Sequence, residues 1–148
     1  MRHGHSPTPA EAGVKGDALR PLSEKGRADA GLMARAILKR GGRPTLILHS
    51  PLLRAVQTAA IASAELRIPA EAFVLLDNTH PPQDVLAALE KRAAAVDELL
   101  VVGHQPQIGE VAALLTGETF EFRPAGLVAI ECGPEPRPLW SLNADEAG

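Results

Sequence analysis

Helix-like and strand-like segments alternate from Pro21 to Cys132, and this alternation narrows the fold more than any other feature of the chain. A helix is predicted from Pro21 to Arg40. Ser23 is placed to cap it, Leu32, Met33, Ala36 and Ile37 form an apolar stripe, Asp29, Arg35 and Lys39 fall on the wet side, and Gly41-Gly42 stops it. TLILHS then has the length and composition of a buried strand, and SPLLRAVQTAAIASAEL opens as a helix with Ser50 as cap and Pro51 at its first position. FVLL predicts a strand, PPQDVLAALEKRAAA a helix with Val85, Leu89 and Ala93 in register, and ELLVVGH another strand. In PQIGEVAALLTG, residues Ile108, Val111, Ala112 and Leu115 recur at helical spacing and Gly117 ends the run. GLVAIEC and PLWSL are expected as late strands, and the tail NADEAG is expected to fray. Such alternation implies an α/β fold, with a mostly parallel sheet covered on both faces.

Length and charge then limit the function. At 148 residues the chain has the size of one domain, 1–148, and falls short of the roughly 250 residues of a TIM barrel. A net charge of -3, no Tyr, one Trp and three Phe give neither the basic surface nor the stacking platforms of a nucleic-acid binder. No apolar run approaches the roughly 18 residues of a membrane span, and no leader precedes the first motif, so a cytoplasmic protein is expected. The single Cys132 permits no internal disulfide.

Three polar clusters fall at junctions where strands end: Arg2-His3-Gly4-His5, His49-Ser50-Pro51 with Arg54 just beyond, and Gly103-His104. Ligands of open α/β sheets bind outside the carboxyl ends of strands, so these clusters are expected to converge. Arginine presents a charged planar fork suited to phosphate oxygens, and Arg54 lies where free helix N–H groups already favour an anion. A neutral imidazole attacks phosphorus well, and the resulting phosphoramidate is labile enough to pass to water. His3 suits this role if a backbone carbonyl fixes its tautomer, with Gly4 allowing close backbone approach. His104 would donate to the transferring oxygens. The chemistry that fits is phosphoryl transfer through a phosphohistidine enzyme, with no cofactor and no metal.

In sequence order, RHG, RPLSEKG, SPLLRAVQTA and VVGHQPQIGEVAALLTG resemble the motifs of the histidine phosphatase superfamily, specifically its small SixA-type phosphohistidine phosphatases. The resemblance runs from Met1 to about Cys132 and implies a phosphoglycerate mutase-like three-layer α/β/α sandwich without a sizeable capping domain. It implies that His3 is the phosphorylated nucleophile, that Arg2, Arg54 and His104 bind phosphate, and that Ser50 opens the arginine-bearing helix, with a phosphate contact as its second role. The implied substrate is phosphohistidine on a signalling or phosphotransfer protein. A small phosphate ester is the alternative, and a phosphate-binding module without turnover is another.

The chain departs from the family pattern at His5, where an acidic residue is common, and at His49, where a small one is common. Asp77 is the candidate proton donor for the leaving group. A phosphohistidine substrate needs less acid help than an alkyl ester, because its nitrogen leaving group is better. His5, His49 and His80 are expected to be solvated or structural. Two rival chemistries fit less well. His3-x-His5 has the spacing of a metal pair, but the chain lacks H-E-x-x-H and the length of the barrels that usually carry it. Cys132 and Arg137 enclose four residues, two of them prolines without the N–H a phosphate loop donates, and Cys132 is expected to pack in a late strand. Finally, in this family a hydrophobic strand precedes RHG. The expectation is therefore that Met1 is an internal residue or that the chain is truncated, with a gap or exposed edge in the sheet.

Overall fold

The computed structural model describes residues 1–147. Three parallel strands form its main sheet in the order β2-β1-β3: β1 (Leu46–His49), β2 (Ala70–Ala72) and β3 (Leu99–Val102). Five helices accompany them: α1 (Pro9–Ala12), α2 (Glu24–Lys39), α3 (Leu53–Leu66), α4 (Pro82–Ala93) and α5 (Gln107–Thr116). A hairpin of β4 (Leu127–Glu131) and β5 (Arg137–Leu142) makes a separate antiparallel sheet. No helix among the described residues is long and apolar enough to cross a membrane.

Strand alternation divides the core. On one face Ile47, Leu100 and Val102 join Met33, Ile37, Ala55 and Ala59 from α2 and α3. On the other, Leu46 and Leu48 pack with Leu76, Val85 and Leu89. This gives the helix–sheet–helix layering expected when every strand of a parallel sheet is buried on both sides.

Several local expectations shift. FVLL is not a strand. The ladder is made by Ala70–Ala72 and ends where the Phe73 N–H bonds His49 O (2.7 Å), after which Val74–Leu76 forms a 3₁₀ turn that buries Leu76. Ser50 does not cap α3. The helix starts three residues later, capped in position by Leu52, and the Ser50 hydroxyl is drawn instead to His104 and the Leu52 N–H. The described part of the tail is folded, Gly148 lying outside the described residues: Asn143 is buried, its side chain bonds Arg123 N (3.0 Å) and Glu121 O (3.1 Å), and Ala144–Glu146 forms a 3₁₀ turn. Cys132 is exposed just beyond β4, because that strand ends at Glu131.

The first three residues occupy the space between the sheets. Arg2 bridges Gly103 in parallel, the Met1 amine donates to Val101 O (2.8 Å), and the His3 N–H donates to Gly103 O (3.0 Å). On their other side, the Arg2 N–H bonds Gly126 O and the Ala125 N–H bonds His3 O, each at 2.9 Å. Next to Met1 a cleft of about 980 Å³ runs between β3 and β4, lined by Leu99, Val101, Leu127, Ala129 and Trp140.

Candidate active site

The carboxyl ends of Met1–His3, β1 and β3 lie side by side, so residues far apart in sequence meet there. The His3 ring is buried, and its Nδ1–H donates to the carbonyl of Gly4 (2.7 Å). That bond places the proton on Nδ1 and leaves Nε2 unprotonated, with its lone pair directed into the site. Arg54, the second residue of α3, points its Nε–H at this lone pair (3.3 Å). The His104 ring centroid is 5.0 Å from that of His3, with the planes tilted by 55°. Its Nε2 pairs with Ser50 Oγ (2.6 Å), and Ser50 Oγ also accepts the Leu52 N–H (3.1 Å).

Gly4 has a second task beside supplying that carbonyl. A Cβ on Gly4 would sit 2.6 Å from Gly26 O, and one on Gly26 would sit 2.2 Å from His5 O, so the loop and α2 touch through two glycines. Thr58, one turn beyond Arg54, accepts the Gly4 N–H (3.0 Å) and donates to Arg54 O (2.8 Å), which joins the nucleophile's loop to the arginine's helix.

Burial and positive charge set the protonation states. Desolvation lowers the His3 pKa to about 3; the Gly4 bond opposes this, and the charges of His104, Arg54 and Arg2 add to it. Desolvation and then Arg54 lower that of His104 to about 4. Both rings are therefore neutral at neutral pH. Arg2 is half-buried, donates through Nη1 to Phe122 O (2.9 Å), and has its pKa lowered by desolvation and by Arg54. Arg2 Nε and His104 Nδ1 are buried without partners, two polar atoms that a bound anion could engage after a small adjustment.

The remaining candidates make no hydrogen bond to His3, Arg54 or His104, although the charge of Asp77 reaches His104 and opposes the lowering of its pKa. Desolvation raises the Asp77 pKa, but hydrogen bonds from the Thr79 hydroxyl and N–H and from His80 outweigh it, and the carboxyl stays below the ordinary range. His80 donates to it through Nδ1 (3.0 Å). His49 turns its Nδ1–H onto Ser50 O (2.8 Å), and the exposed His5 pairs with Ser23 Oγ (2.7 Å). His3 and His5 thus face different partners, and no group of three or more His, Cys, Asp or Glu among the described residues has the geometry to hold a metal. Arg137 is engaged by Glu131 (2.8 Å), and the protein around Cys132 and the charge of Glu90 raise its thiol pKa.

Two contributors escape sequence reasoning. Asp17 holds the far end of Arg54, its carbonyl accepting Nη1 (2.8 Å) and its carboxylate Nη2 (3.0 Å). Thr58 is the other. Only its spacing, four residues after Arg54 on a helix, marks it.

Comparison with known proteins gives the family of the chain. Residues 1–80 match the model of the histidine phosphatase superfamily (branch 1). The chain belongs to the histidine phosphatase superfamily. Among its relatives is an uncharacterized protein of Picosynechococcus sp. (strain ATCC 27264 / PCC 7002 / PR-6), 38% identical over 139 residues that cover 90% of this chain and 83% of the relative. The phosphohistidine phosphatase SixA of Escherichia coli (strain K12) is 36% identical over 126 residues, 80% of this chain and 74% of SixA. A solved structure of the protein histidine phosphatase SixA complexed with tungstate superposes with a TM-score of 0.88 at 27% identity, covering 98% of this chain and 95% of that one. This histidine phosphatase is a SixA-like member of the superfamily.

Proposed function

We propose that this histidine phosphatase moves a phosphoryl group from its substrate to His3 Nε2 and then to water, without a metal ion. The observation that carries the reading is the pinned His3 tautomer: Nδ1–H is committed to Gly4 O, and the unprotonated Nε2 accepts only the long hydrogen bond from Arg54 Nε (3.3 Å). In the first step, Nε2 forms the P–N bond as the bond to the leaving group breaks. In the second, water attacks phosphorus, His3 leaves as neutral imidazole, and the water proton passes to the released phosphate. Arg54, Arg2 and His104 offset charge on the phosphoryl oxygens, and Ser50 fixes the His104 ring.

The proposed substrate is phosphohistidine on a protein. Asp77 accepts three hydrogen bonds and is held ionised, which makes it a poor proton donor at neutral pH. An alkyl ester would need such a donor, whereas protonated phosphohistidine releases a neutral imidazole unaided. The test compares a phosphohistidine protein, phosphoramidate and simple phosphate esters in excess EDTA, with His3→Ala as blank. An acid-labile, alkali-stable phosphoenzyme is expected, with turnover favouring P–N substrates. Neither label nor turnover with any phosphoramidate would refute the reading, and faster turnover of alkyl esters would shift it to small molecules.

A further inference from the structure

Every nitrogen of the Arg54 guanidinium has a partner. Nε meets His3, while both far nitrogens are held by one residue, Asp17, through its carbonyl and its carboxylate. Asp17 begins the 3₁₀ turn Asp17–Leu19, and its second carboxylate oxygen accepts Arg20 Nη1 (3.0 Å). Arg20 in turn donates through Nε to Pro7 O (2.8 Å) and through Nη2 to Ser6 O (3.1 Å). A chain of contacts therefore runs from the loop after His5 through Arg20 and Asp17 to the arginine beside the nucleophile.

A contribution to stability does not explain this arrangement. The Asp17 side chain is 61% exposed, and ion pairs with so exposed a partner add little. Nor does charge explain it, because a carboxylate next to an anion site repels the phosphate. Geometry does. A guanidinium is flat, and gripping its far end fixes the rotation of the whole plane, so the edge carrying Nε–H and the second Nη2 hydrogen must face His3. Hydrogen bonds from Arg20 and Arg54 keep the carboxylate ionised for that grip.

We propose that Asp17 is a positioning residue: by clamping Nη1 and Nη2 it aims the side edge of Arg54 at the phosphoryl oxygens in flight to His3. The proposal rests on the reading that His3 accepts the phosphoryl group. It makes one unusual demand, since Asp17 weakens ground-state phosphate binding through its charge and speeds the chemical step through its grip.

Three proteins separate the two effects: wild type, Asp17→Asn, which keeps a side-chain acceptor oxygen but loses the charge, and Asp17→Ala, which loses both and keeps only the backbone carbonyl on Nη1. In single turnovers with phosphoramidate, Asp17→Ala is expected to lose about 10- to 100-fold in the rate of His3 phosphorylation, as misplaced catalytic groups do. Asp17→Asn should stay within about threefold. Inorganic phosphate should bind both variants more tightly than wild type, and equal or weaker binding overturns the charge half of the proposal. A phosphorylation rate for Asp17→Ala within about twofold of wild type overturns the proposal, as does an equal loss in the two variants, which would assign the effect to charge. The Arg54 Nε–H resonance is read in parallel. Faster solvent exchange of this proton in Asp17→Ala alone supports the clamp, and unchanged exchange refutes it. If wild type forms no phosphohistidine, the reaction assigned under Proposed function fails, while the exchange and phosphate-binding results still decide whether Asp17 orients Arg54.

Discussion

At the scale of the residue, the nucleophile is prepared by burial and by one carbonyl. An exposed histidine changes charge near pH 6.5, in the middle of the range where a phosphatase works. His3 and His104, lowered to about 3 and about 4, do not. The single-turnover rate of His3 phosphorylation, corrected for ionisation of the substrate, should therefore be flat from about pH 5 to about pH 8. A limb centred near 6.5 that persists after this correction would show that the rings are not held neutral. The same shifts act on stability, and the sign follows from which state binds more protons. Above pH 6.5 both rings are neutral, folded or unfolded, and contribute nothing. Below it the unfolded chain takes up protons that the folded chain refuses, so stability should fall as pH drops from about 6.5 toward 3 to 4. Denaturant titrations of wild type and His104→Gln at pH 7 and pH 5 check this, with the loss expected to be smaller in the variant.

At the scale of the element, the site depends on how closely α2 approaches the loop that follows His3. Gly26→Ala would drive a methyl group to 2.2 Å from His5 O, and backbone cannot yield as a side chain can. A destabilisation of about 1–3 kcal/mol is expected by thermal unfolding, together with slower His3 phosphorylation as the loop moves away from Arg54. Unaltered melting and rate would mean that the loop is free to shift. The glycine contact also marks where sequence reading stops. α2, β1, α4, β3 and α5 are legible because their apolar spacing matches what they bury, and Arg54 and His104 are legible because junctions of a parallel sheet converge. Asp17 is not, since nothing in DALRPLS announces that a turn will bring its carbonyl and carboxylate onto an arginine 37 residues away. FVLL misleads for the opposite reason. Its composition suits a strand, but the β2 ladder is already complete before it, and burying Leu76 against Val85 is achieved by a turn. Ser50 is misread as a cap because sequence cannot weigh a helix N–H against a histidine from another strand.

At the scale of the whole molecule, the cleft between β3 and β4 leaves the parallel sheet and the hairpin joined, on this side, by three residues. Each of those residues bears on the reaction: Met1 anchors the segment to Val101, Arg2 reaches Phe122, and His3 is the proposed nucleophile. The cleft also bears on how these molecules treat one another. Apolar Leu99, Leu127 and Trp140 line it beside the segment that carries His3, and apolar surface of this kind attracts other apolar surface. Solubility and catalysis thereby become linked. A concentrated solution should lose activity through contact at this apolar cleft before it loses helix content, so the Met1–His3 segment is where colloidal behaviour first reaches the chemistry.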